Sequence, residues 1–160
     1  MIGFLALLLM TAFPQTGQQQ ATTPALKDVK AIEILPTTIP NPDKVKETTA
    51  PGIVENNLRH AILLAGFEVG KDAPIKARLI LEEFNPGNTA TRVIVGMGAG
   101  RSTITAILVL QDAGGKEIKT AKIHVRGDIL MGSYQGNSTQ QKKAVSKFEQ
   151  ALTEELEKMK

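Results

Sequence analysis

The 160-residue sequence contains no cysteine and no tryptophan, and its single tyrosine belongs to an aromatic fraction of only 4%. Without cysteine there can be no disulfide bond, no zinc–thiolate site, no cysteine nucleophile and no lipid attached to cysteine. A domain of this length buries about two-thirds of its unfolded surface, so it can fold without cross-links. The missing cysteine therefore excludes several kinds of site but identifies no compartment.

Basic residues are not concentrated anywhere in the chain. Lys and Arg number 19 against 16 Asp and Glu, a formal net charge of +3, and the only adjacent basic pair is Lys142 and Lys143. Proteins that bind nucleic acid usually gather basic residues on one face and add aromatic side chains that stack on bases. We therefore expect no nucleic acid among the partners.

The N-terminus carries an apolar run from Met1 to Phe13, which Pro14 ends. The run is too short for a membrane-spanning helix of about 20 residues, but it suits the hydrophobic region of a signal peptide. It lacks a preceding Lys or Arg, and the alternative interpretation is a buried core helix. We predict a signal peptide over 1–17, a Gln- and Thr-rich flexible linker over 18–26 and a single domain over 27–160. The domain is expected to be exported to the periplasm or cell envelope.

Hydrophobic periodicity assigns the rest of the domain. A helix is predicted over 48–66, capped by Thr48 or Thr49, and another from Ser138, which forms a capping-box pattern with Gln141. Alternating or β-branched segments predict strands over 29–35, 67–69, 75–84, 91–99, 103–111 and 116–125. This order indicates an α+β two-layer sandwich, a mainly antiparallel sheet of about five strands with two helices on one face.

The helices carry apolar stripes that predict the core. The stripe of the first comprises Val54, Leu58, Ala61, Ile62 and Ala65, and that of the last comprises Val145, Phe148, Leu152, Leu156 and Met159. In the third predicted strand, Ile75, Ala77, Leu79 and Leu81 alternate with more polar residues. Each element therefore has one face to bury.

The stretch GMGAG, residues 96–100, resembles a phosphate-binding loop only superficially. A dinucleotide fingerprint is one residue longer and leads into a helix, whereas β-branched residues follow here. A P-loop would require Gly-Lys-Ser/Thr, which the chain lacks. We therefore expect no nucleotide and no other cofactor.

On an extended chain the three glycines of this stretch would point to one face and leave it without side chains. Such a face either packs closely inside the molecule or docks a partner, and both interpretations stay open. The candidate docking residues are Arg92, Gly96, Gly98, Gly100 and Arg101.

Candidates for catalysis are few. His60 and His124 fall on polar faces of a predicted helix and strand, and their spacing forms no metal-ligand pattern. We expect both to be surface histidines, with no catalytic residue and no bound metal. An enzyme with a scattered site is the rival interpretation.

The segment from Phe84 to Ile118 resembles a bacterial envelope family classed as a domain of unknown function. The matching features are the turn Pro86-Gly87-Asn88, Arg92, the G-x-G-x-G stretch, and the Asp112-x-x-Gly115-Lys116 hairpin. The resemblance implies an exported α/β domain without known catalytic residues. Family members are often lipid-anchored, but this chain has no cysteine for that anchor.

These observations favour a non-enzymatic accessory or binding domain of the bacterial cell envelope. Its expected partner is another envelope protein or a second copy of itself. An alternative is an oligomeric or membrane-contacting element, in which residues 92–110 project from the domain as an apolar hairpin.

Overall fold

The computed structural model describes residues 28–87, 100–127, 137–158 and 160. The predicted signal peptide, the strand predicted over 91–99 and Met159 lie outside these residues. The elements in chain order are strand β1 (Ala31–Ile34), helix α1 (Ala50–Leu64), strands β2 (Glu68–Val69), β3 (Ile75–Asn85), β4 (Thr103–Asp112) and β5 (Glu117–Arg126), and helix α2 (Asn137–Glu157), with a short 3-10 helix at Pro42–Lys44 before α1.

The five strands form one mixed sheet in the order β2-β1-β3-β4-β5. Strand β1 runs parallel to both β2 and β3, whereas β3–β4 and β4–β5 are antiparallel. The parallel pairs are short and the antiparallel pairs are long, so the sheet is mainly antiparallel by paired residues. The predicted α+β class is confirmed.

Both helices cover the same face of the sheet, where a single apolar core lies between the two layers. The predicted stripe of α1 is buried in full, and Ile75, Ala77, Leu79 and Leu81 point into the same core. From α2, Phe148, Leu152 and Leu156 are buried as predicted, Ala144 joins them, and Val145 is only partly buried. At about 25 cal/mol per Å² of apolar surface removed from water, this layer provides most of the driving force for folding.

The predicted helix caps are partly wrong. Thr49 is the N-cap of α1, but its side chain makes no capping hydrogen bond and its hydroxyl donates to the Glu47 carboxylate at 2.6 Å. In α2 the helix already includes Asn137, so Ser138 lies in the first turn and not before it. Gln141 donates from Nε2 to Glu47 Oε2 at 2.8 Å, a contact between segments that a local capping box would not form.

The turn between β4 and β5 is the predicted hairpin. Gly115 has a φ of +84°, a conformation that glycine adopts without steric cost. The Asp112 carboxylate accepts from the Lys116 backbone N–H at 2.9 Å, and Gly115 N–H donates to the Asp112 carbonyl at 3.0 Å. The matched Asp-x-x-Gly-Lys residues therefore close this hairpin.

The projecting hairpin predicted over 92–110 is not what the described part of that segment forms. Residues 103–110 belong to β4, which is paired with β3 on one side and with β5 on the other. Ile104, Ala106, Leu108 and Leu110 face the core and are at most 1% exposed. Their apolar character comes from a position inside the sheet, and no membrane or partner is needed to cover them.

Candidate functional site

Two of the five predicted docking residues lie in the part of the chain that the structure describes. Arg92, Gly96 and Gly98 lie outside the described residues, whereas Gly100 and Arg101 directly precede β4. Gly100 has a φ of +69°, so it does not have the extended backbone expected for a flat glycine-rich strand. Arg101 is half-buried, and its Nε atom is buried without a hydrogen-bond partner within the described ranges.

A different glycine, Gly127, packs closely against the helix layer at this end of the sheet. Gly127, just after β5, donates from its N–H to the Ser102 carbonyl at 2.9 Å. A Cβ atom at Gly127 would lie 2.9 Å from the carbonyl oxygen of Gln140 in α2. Glycine is therefore required at 127 because the helix backbone approaches the strand.

The face of the sheet opposite the helices carries a polar cluster that sequence analysis missed. The pairing of β3 with β4 shifts register between Leu81 and Glu83, so Glu82 forms a β-bulge and the two glutamates lie side by side. Lys122 of β5 bridges to Glu82 with 2.7 Å between Nζ and Oε2. The sequence signal was the spacing of Leu81 and Phe84, which breaks the alternation of the strand.

A polar cleft of about 490 Å³ lies over this cluster. Its walls come from the loop before α1 and from three neighbouring strands. The lining residues are Pro40, Asn41, Lys44, Glu82, Glu83, Thr105, Lys122 and His124. The cleft combines carboxylates, amines and an imidazole, which are side-chain types that often occur together in active sites.

The hydrogen bonds of His124 determine what this cleft can do chemically. Arg126 donates from Nε to His124 Nε2 at 3.1 Å, and since a guanidinium only donates, Nε2 must accept. The proton of the neutral ring is then on Nδ1, 2.8 Å from the Thr105 hydroxyl oxygen, which accepts it. A nucleophilic hydroxyl must instead donate to its base, so Thr105 is not activated in this arrangement.

A second cleft, of about 540 Å³, lies between the end of β1 and the first turns of α1. Its lining includes Ile34, Leu35, Pro36, Ile53 and Arg59. Glu55, also in this cleft, accepts the Thr37 backbone N–H at 2.8 Å. Its carboxylate therefore serves to hold the loop that leaves β1.

His60 and Lys158, two further ionisable groups, are in surface positions. His60 is 63% exposed and contacts Glu149 of α2 at 3.3 Å, as expected for a surface histidine. A hydrogen bond and the charge of Glu155 raise the pKa of Lys158, the opposite of what a catalytic amine base requires.

Among the described residues, no three His, Asp or Glu side chains are grouped closely enough to hold a metal ion. Within the same ranges, neither helix is long and apolar enough to cross a membrane.

Comparison with solved structures identifies related folds. PelC from Paraburkholderia phytofirmans, solved as a dodecamer, is 15% identical with a TM-score of 0.58, and the match covers 82% of this chain and 92% of that chain. The dodecamer of a PelC point variant from the same organism is 14% identical with a TM-score of 0.59, covering 85% and 90%. A DUF330 protein from Xanthomonas campestris is 14% identical with a TM-score of 0.49, covering 82% and 81%.

At these identities the likeness to PelC establishes a shared fold. No protein-family model and no curated protein sequence matches the chain. The resemblance to an envelope family of unknown function therefore remains a prediction. Four of the residues that carry it, Asn88, Arg92, Gly96 and Gly98, lie outside the described residues.

Proposed function

We propose that the chain is an exported accessory domain of the bacterial cell envelope, which self-associates and acts through protein contacts and not by catalysis. The observation that carries the proposal is the fold shared with PelC, a protein that forms a dodecamer, over 82% of this chain and 92% of that one.

Two further observations support the proposal. The apolar run from Met1 to Phe13 has the length of a signal peptide core and is followed by a polar linker. In the polar cleft, Thr105 accepts a hydrogen bond from His124, so its hydroxyl is not directed at a base, which supports a role other than nucleophilic catalysis.

Export is tested by expressing the full chain in a bacterial host, fractionating the cells and measuring the mass of the recovered protein. We expect a periplasmic or envelope-associated protein with a new N-terminus between Thr16 and Ala21. Recovery from the cytoplasm with Met1 intact would overturn the export part of the proposal.

Self-association is tested on the recovered protein by size-exclusion chromatography with light scattering, over a hundredfold range of concentration. We expect an oligomer that dissociates on dilution. A monomer at every concentration would overturn the self-association part, and export could still hold.

A further inference from the structure

A continuous groove lies beside α1 at one edge of the sheet. The cleft of about 540 Å³ between β1 and α1 shares Ile34 and Arg59 with a smaller cleft of about 290 Å³. Val69, Gly70 and Lys71, where the chain leaves β2, also line the smaller cleft. Because the two clefts share lining residues, they form one groove, here called the β1 groove.

Part of the β1 backbone is unpaired in this groove. Leu35 N–H donates to the Ala77 carbonyl of β3 at 2.8 Å, so by alternation the N–H and C=O of Ile34 point the other way, toward the β2 side. Strand β2 has only two residues, and the bond from Gly70 N–H to the Ile32 carbonyl at 3.1 Å is the last between this segment and β1 in the described ranges. Ile34 therefore presents one donor and one acceptor to the groove.

This free edge is one residue long. Alternate residues of a strand direct their backbone groups to the same side, so the next edge residue after Ile34 is Pro36, which has no N–H. On the other side of Ile34, the carbonyl of Ile32 is already bonded to Gly70. A docked chain can pair as a strand with one residue only, so the edge suits a chain end better than the middle of a long strand.

One wall of the β1 groove is apolar. It is formed by Leu35, Pro36 and Ile53, and Ile53 packs against the core cluster. Gly52, in the first turn of α1, also lines the groove, and a Cβ atom there would have no other atom within 4 Å. The volume of the larger cleft is within the range of about 300–1,000 Å³ typical of ligand pockets. The groove therefore has room for an apolar side chain next to α1.

The two acids that line the groove already have partners. Glu55 accepts the Thr37 N–H at 2.8 Å, which ties its carboxylate to the loop after β1. Glu33 lies 3.9 Å from Lys76 Nζ, and strand alternation places it on the face of the sheet away from α1. Neither acid forms an ion pair with Arg59.

The two bases that line the groove lack such partners. Arg59 and Lys71 are exposed, and neither forms an ion pair with any residue in the described part of the chain. A guanidinium binds a carboxylate through two parallel hydrogen bonds, which fix its orientation as well as its charge. The unpartnered charge in the groove is therefore positive and suits a carboxylate.

We infer that the β1 groove binds the C-terminal end of a partner polypeptide in an extended conformation. The last residue of the partner is apolar and lies against Leu35 and Ile53. Its backbone pairs with Ile34, and its terminal carboxylate is bound by Arg59. The inference rests on the proposed action through protein contacts and names a class of partner for it, but it does not depend on self-association.

The test measures the fluorescence anisotropy of labelled tetrapeptide pools titrated with the full chain. In each pool the last residue is Val, Leu, Ile, Met or Phe, and the other positions are degenerate. Each pool is made once with a free terminal carboxylate and once with a terminal amide. We expect the free acids to bind at least about tenfold more tightly, since the amide cannot make the charged hydrogen bonds.

Two variants locate the site. Arg59→Gln removes the guanidinium and should weaken binding of the free acids by at least about tenfold, which removes their preference over the amides. Gly52→Leu fills the space beside α1 and should weaken binding of every pool. Its melting temperature should be no lower than that of the unmodified chain, because the site is open and leucine favours a helix more than glycine does.

Arg126→Gln is the matched control, because it removes the same charge from an exposed arginine of β5, at the opposite edge of the sheet. It should bind the pools as the unmodified chain does. Circular dichroism melting checks that each variant is folded. If Gly52→Leu is not, Asn56→Phe replaces it, at another exposed position of α1 that lines the groove.

The outcomes are distinguishable. Binding of the free acids that falls in both groove variants supports the inference. Equal binding of acids and amides overturns it in favour of an internal strand, and binding that neither groove variant changes overturns the assigned site. Absence of binding by every pool at up to about 1 mM protein also overturns it, and leaves export and self-association standing. A monomeric, cytoplasmic chain that binds free acids through Arg59 contradicts export and self-association but keeps this inference.

Discussion

The two faces of the sheet are built from the same strands but present different side chains. On the helix-covered face, β4 presents Ile104, Ala106, Leu108 and Leu110, each at most 1% exposed. On the opposite face it presents Thr105, Ile107 and Val109, which lie outside the core cluster and beside charged residues of β3 and β5, although Val109 is only 1% and Thr105 6% exposed. The covered face therefore holds the apolar core, and the opposite, open face carries the charged side chains of β3 and β5.

The open face is held by weak interactions. The pair between Lys122 and Glu82 has side chains that are 61% and 33% exposed, and exposed pairs of this kind contribute about 0–1 kcal/mol. A buried Leu on the covered face contributes several times more.

The largest expected effect separates neighbouring residues of β4 that point to opposite faces. Leu108→Ala should lower the free energy of unfolding by about 2–5 kcal/mol, since it leaves a cavity in the core. Ile107→Ala, at a half-buried position on the open face, should cost clearly less. Urea denaturation of both variants measures the difference, and equal losses would contradict the division into two faces.

The next effect tests how closely α2 approaches the end of the covered face. Gly127→Ala would place a methyl group 2.9 Å from the Gln140 carbonyl oxygen and 3.4 Å from Ser102 Cβ. Because a helix backbone must shift to relieve this contact, we expect a loss of about 1–3 kcal/mol in unfolding free energy. Unchanged thermal stability would mean that α2 does not pack against the strand there.

A gain in stability is expected from one buried polar residue of α2, Gln140. Gln140 is fully buried, and neither its Nε2 nor its Oε1 has a hydrogen-bond partner in the described part of the chain. Gln140→Met keeps the shape and removes the unpaired amide, so unfolding free energy should rise by about 1–2 kcal/mol. Gln141→Met, which removes the bond to Glu47, should instead lower it, and a loss at both positions would show that the Gln140 amide is paired.

The smallest effects come from two glycines with different backbones. Gly52 lies in the first turn of α1, and a methyl group there would meet no atom within 4 Å, so Gly52→Ala should stabilise by about 0.5–1 kcal/mol. Gly115 also has open space around it but has a φ of +84°, so Gly115→Ala should destabilise by about 1–2 kcal/mol. Melting temperatures should therefore move in opposite directions, and a shared sign would contradict the assigned backbone of the β4–β5 turn.

The sequence predicted the elements of the fold more reliably than it predicted the site. The stripe of α1 and the alternation of β3 were correct because each reports on one face of one element. The docking prediction assumed an extended backbone through Gly100, whereas its observed φ of +69° is left-handed, although the residue is assigned to a strand. The polar cleft was missed because Glu82, Lys122 and His124 are far apart in sequence and meet only across three paired strands.

What the sequence determined by itself is local: the helical phase of Phe148 and Leu152, the strand alternation from Ile75 to Leu81, and the glycine turn before Lys116. Only the tertiary structure decided that β4 lies inside the sheet, that α2 contacts Gly127 near its start, and that Lys160 after α2 reaches the ring of Phe67. The physical reason is that periodicity reflects contacts within one element, whereas strand order and helix docking depend on how all the apolar faces share one core.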